Sequence, residues 1–66
     1  MKRELLIRIG VALYGPRFQR ELATALGVNE RTVRRWVAGD TSIPETIEND
    51  LKKLVKERSA MLMRLL

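Results

Sequence analysis

The chain contains no cysteine and no histidine. Disulfide scaffolds, zinc fingers and the usual imidazole metal sites are therefore excluded, and no metal or other cofactor is expected. Thiol and imidazole catalysis go with them. There is also no carboxylate pair beside a nucleophile and no phosphate-cradling glycine loop, so an enzyme has little support. Long apolar runs are missing too. The stretch from Glu4 to Tyr14 is apolar-rich but short and is interrupted by Arg8, whereas a membrane-spanning helix needs about 20 apolar residues. Tyr14-Gly15-Pro16 does not resemble the small-residue cleavage site of a secretory signal. A cytoplasmic protein without membrane association is expected, and the lack of cysteine suits a reducing compartment. Alternating β-branched patterns, repeats and low-complexity segments are absent as well.

What remains is a chain of 66 residues with 13 Lys and Arg against 8 Asp and Glu, a formal net charge of +5. One domain, residues 1–66, is the upper bound. A domain this small buries only about 60% of its unfolded surface. With disulfides and metals excluded, packing against a partner chain is the expected reinforcement. The basic balance favours a polyanionic partner: DNA, RNA or an anionic membrane surface.

Glycine and proline divide the chain into four helix-forming segments, with breaks at Gly15-Pro16, at Gly27 and from Gly39 to Pro44. The first segment, about Lys2 to Leu13, sets Leu5, Leu6, Ile9, Ala12 and Leu13 at helical spacing, and Gly10 weakens it. The second follows Pro16, a residue suited to a first helical turn, and carries Phe18, Leu22, Ala25 and Leu26 up to Gly27. The third opens at Asn29, a good N-cap, and ends at Gly39. The fourth, residues 43–66, opens on Ser42 and Glu45 at capping-box spacing. Its apolar stripe is Ile47, Leu51, Leu54, Val55, Met61, Leu62 and Leu65. The expected fold class is all-α, a compact four-helix domain with an extended C-terminal helix.

Residues 19–38 form the informative unit. Two short helices meet at Gly27, which sits where the backbone must turn sharply. Ala23 is small where the helices approach most closely, and Leu22, Leu26, Val28, Val33 and Trp36 supply the apolar seam. This is a helix-turn-helix pattern. At about 100° per residue, Val33, Trp36 and Val37 share one face of the second helix, and Arg31, Arg34, Arg35 and Ala38 share the other. Trp36 therefore belongs to the core rather than to a stacking platform, and Tyr14 and Phe18 are also structural.

The string QRELATALGVNERTVRRWVAG, Gln19 to Gly39, resembles the helix-turn-helix regulators of the phage Cro and lambda-repressor type. The resemblance covers about a third of the chain. It implies that the helix from Asn29 to Ala38 enters the DNA major groove. Arg34 and Arg35 then become the leading base or phosphate contacts, with Arg31 beside them. Gln19 contacts phosphate or base or is simply exposed. Arg17 and Arg20 meet backbone phosphate. Asn29 is a cap or a base contact. Glu30 departs from the neutral residue many relatives carry; it either accepts from cytosine N4 or orients Arg34 four residues on. Thr32 bonds phosphate or sits in the helix–helix seam.

The last six residues, Met61 to Leu66, include five apolar ones. Left exposed they would be disfavoured. They either fold back on the core or form a two-fold homodimer through Leu54, Arg58, Met61, Leu62 and Leu65, with helix one as a further contributor. A membrane-surface helix fits less well, because Lys52, Lys53, Lys56 and Arg58 interleave with Glu45, Glu48, Asp50 and Glu57. The expected function is a dimeric regulator, most simply a repressor, bound to a pseudo-palindromic operator in double-stranded DNA. No small-molecule effector is expected. The alternative is a protein-interaction module or an antitoxin-like partner protein that uses the same scaffold.

Overall fold

Gly27 takes φ 70° and ψ 30°, a left-handed conformation that costs a side-chain-bearing residue about 1–2 kcal/mol. The helix before it ends there. The Val28 amide donates to the Ala23 carbonyl at 3.0 Å and the Gly27 amide to that of Thr24 at 3.2 Å, a Schellman closure of the last turn. Punctuation of this kind shapes the whole chain. In the computed structural model, which describes residues 1–66, four helices follow one another: α1 (Arg3–Tyr14), α2 (Phe18–Leu26), α3 (Glu30–Ala38) and α4 (Glu45–Arg64). There is no strand. No helix is long and apolar enough to cross a membrane.

Two helix starts differ from the sequence expectation. Pro16 lies in the turn before α2, and Arg17 rather than Pro16 directly precedes the helix. The Ser42–Glu45 capping box does not form: Pro44, at ψ 148°, is the N-cap of α4 and no side chain caps it. The reason lies in Ile43. A residue before proline is pushed out of the helical region, so the helix cannot begin at Ile43 with Ser42 as its cap.

The core is formed by Leu6, Phe18, Leu22, Ala23, Val33, Trp36, Ile47 and Leu51, drawn from all four helices. Leu26, Val28 and Val37 pack partly buried around it. Burying each large apolar side chain contributes about 1.5–3 kcal/mol. Ala23 is buried, as a small residue at the α2–α3 approach should be.

Gly10 turns out to be a packing requirement. It is buried, and a Cβ placed on it would lie 2.6 Å from both Cγ and Cε2 of Phe18. The Phe18 ring thus rests on the bare backbone of α1. The apolar residues of α1 accordingly divide: Leu6 and Gly10 face the core, Leu5 and Ala12 are exposed, and Ile9 and Leu13 are intermediate.

α4 docks only by its first turns. Ile47 and Leu51 are buried and Leu54 is half-buried, but every residue from Val55 to Leu66 is exposed. The tail does not fold back. At about 1.5 Å per residue the helix is about 30 Å long, which accounts for a molecule measuring 40 × 23 × 20 Å.

Candidate nucleic-acid interface

α3 is held rigidly at both ends. At its start the Asn29 side-chain oxygen accepts from the Arg31 amide at 3.1 Å. At its end Gly39 and Asp40 donate to the carbonyls of Trp36 and Arg35. A third restraint comes from the other end of the chain: Arg3 of α1 donates through Nη1 to the Val37 carbonyl at 3.3 Å. A cation at a helix C-terminus also meets the negative end of the helix dipole favourably. Val33 and Trp36 are both buried and anchor the inner face.

With the inner face fixed, the outer face has one composition. Arg31, Arg34, Arg35 and Ala38 are all exposed. Arg17 and Arg20, at the start of α2, are exposed as well. The ion pairs of the structure are Arg3–Glu4 at 3.7 Å and Lys52–Glu48 at 4.0 Å, so none of these five arginines is engaged by a carboxylate. Residues 17–38 carry five arginines against Glu21 and Glu30, which is three of the chain's five net positive charges in a third of its length. Their forks are free to donate in pairs to phosphate or to guanine O6 and N7.

The remaining candidates divide by geometry. Asn29 is the N-cap, so its carboxamide oxygen is committed and only the amide NH2 is left for a ligand. Glu30 forms no ion pair with Arg34. Such exposed pairs are worth only about 0.3–0.5 kcal/mol, and the Glu30 carboxylate already gains from lying in the first turn of α3. Gln19, Glu30 and Thr32 are half-buried at the flanks of the arginine face. Nothing in the structure binds the Thr32 hydroxyl. Thr24, which no sequence motif marks, donates to the Arg20 carbonyl at 3.1 Å and braces the turn that carries Arg20.

The chain matches no protein-family model, no curated protein and no solved structure.

The five residues expected at a dimer contact do not form one free surface. Leu54 packs against the core, and the Arg58 guanidinium sits over the Tyr14 ring at 5.9 Å. Met61, Leu62 and Leu65 are exposed. Arg3 was invisible as a contributor to the site because its partner lies 34 residues away, and only the packing of α1 across the end of α3 brings them together. No cluster of His, Cys, Asp or Glu side chains that could hold a metal ion is present.

Proposed function

We propose that this protein is a sequence-specific double-stranded DNA-binding regulator that reads the major groove with α3. One observation carries the reading. A helix capped at both ends and anchored by Val33 and Trp36 presents Arg31, Arg34 and Arg35 outward, with no carboxylate partner inside the chain. Rigid placement matters because base-edge hydrogen bonds discriminate only when their donors are held in register. Arg17 and Arg20 extend the positive surface toward phosphates, which position a reader without specifying sequence. Two copies related by a two-fold axis read half-sites about one DNA turn apart. The simplest regulatory outcome is repression, by occupying a promoter in the cytoplasm.

Selection of bound duplexes from a random pool, followed by a salt titration on the selected site, tests this. A symmetric or half-symmetric site should emerge. Log affinity should fall linearly with log salt, with a slope of about −0.9 for each phosphate neutralised. Arg34→Ala should lower affinity and, where it reads a base, relax preference at one position by about 1–3 kcal/mol. Recovery of no preferred sequence, together with duplex affinity indifferent to salt, would overturn the reading and favour the protein-interaction alternative.

A further inference from the structure

An open groove of about 670 Å³ lies between α1 and α4. Its lining is mostly apolar, with Met1, Leu5 and Ile9 on one side and Leu51, Val55 and Met63 on the other, and it also includes Glu48, Lys52 and Lys56. Val55 is 40% exposed and Met63 66% exposed. At the end of α4, Leu62, Leu65 and Leu66 are also exposed. None of the groove's residues belongs to the arginine face.

The surface left exposed is on the scale of a protein interface. A compact monomer of this mass exposes roughly 4,300 Å², whereas this chain exposes 5173 Å². The excess, about 900 Å², is close to the ~800 Å² that each partner buries in an interface of standard size. The shape agrees: the Cα radius of gyration is 11.8 Å, against about 10.8 Å for a compact chain of this length.

We infer that the groove is filled by the overhanging end of α4 from a second copy of this chain, the two α4 helices running antiparallel. This rests on the two-fold pairing proposed above and assigns its surface. An isologous contact requires a patch complementary to itself, and here each copy supplies both the groove and the apolar tail that fills it. A two-fold axis across the overhang runs the two helices antiparallel, which also opposes their dipoles; parallel packing sets like ends side by side. Ser59 and Ala60, which also line the groove, are small enough for the backbones to approach at mid-overhang. Leu54 and Arg58 stay within their own chain, so of the five residues expected at the contact Met61, Leu62 and Leu65 remain available to it.

Sedimentation equilibrium without nucleic acid tests the association. Wild-type protein should show a monomer–dimer equilibrium. Val55→Glu should weaken it by about tenfold or more, because it sets a charged group in place of an apolar one at the contact. Met63→Glu should act alike, and because Met63 lies outside the core its far-UV circular dichroism should match wild type even where Val55→Glu disturbs the fold. The chain has no cysteine, so Ser59→Cys introduces a unique thiol. A short bis-maleimide should join Ser59→Cys pairs readily and Asp50→Cys pairs poorly. Wild type that remains monomeric up to about 1 mM, a Met63→Glu variant that dimerises like wild type, or Asp50→Cys pairs that cross-link as well as Ser59→Cys pairs would each overturn the assignment. Because nucleic acid is absent from the measurement, such failure leaves the arginine face unaffected, and salt-dependent duplex binding by the same variants tests that face separately.

Discussion

Replacing Gly10 with alanine sets two effects against each other. Within a helix, alanine is favoured over glycine by about 0.5–1 kcal/mol. Inspection of α1 by itself would therefore predict stabilisation. The packing reverses this. The new Cβ would lie 2.6 Å from Cγ and Cε2 of Phe18, where carbon atoms settle at about 3.5–4.0 Å. The ring must retreat by about 1 Å, and Phe18 is buried at the first position of α2, so the ring yields only through a strained rotamer or a shift of the helix. Overpacking of this kind costs about 1–3 kcal/mol. With the ring struck along one whole edge, the upper figure applies and the net loss is about 2 kcal/mol. For a domain of this size that lowers the melting temperature by roughly 8–16 °C. Thermal melts of both proteins at one chain concentration measure it, since association shifts the midpoint. A companion variant isolates the cause: in a Phe18→Leu background the alanine should cost much less or become stabilising. A Gly10→Ala protein that melts at or above the parent temperature would refute the reasoning. So would a penalty of the same size once the ring has been removed by Phe18→Leu.

Gly27→Ala should destabilise by about 1–2 kcal/mol in chemical denaturation; nothing lies within 4 Å of its added Cβ, so the loss is purely one of backbone conformation. Asn29→Ala should cost about 1 kcal/mol through the lost cap, while Asn29→Asp retains stability; an equal loss in both variants would remove the cap as the cause. Trp36, the only tryptophan and 4% exposed, should emit as a buried indole, shift to the red on unfolding and change little when duplex is added. Strong quenching by duplex would instead indicate stacking on a base.

The helical segments were legible because period and punctuation agree. Gly27 and Gly39 both end helices in left-handed conformations, and Val33 and Trp36 face inward where a 3.6-residue period places them. The arginine face followed from the same geometry. What remained hidden depended on contacts between distant segments. Gly10 reads as a weak helix residue until Phe18 is seen resting on it. Arg3 reads as one more surface cation until α1 is laid across the end of α3. In α4 the apolar residues recur too often to reveal which turns dock, and the core stops at Leu54 although the pattern continues to Leu65. Ser42 was misleading for a local reason, since the cost of a helical residue before proline outweighs a favourable cap spacing.

Two of the eight core side chains, Val33 and Trp36, belong to the same helix that carries the outward arginines. The scaffold and the arginine face are therefore one object, with no hinge between them. A random mutational survey of this protein should consequently find many of its silent alleles on the polar side of α4, around the exposed Lys53 and Glu57. Its damaging alleles should concentrate at interior positions far from the arginine face itself, because moving any of them tilts the guanidinium groups on the far side.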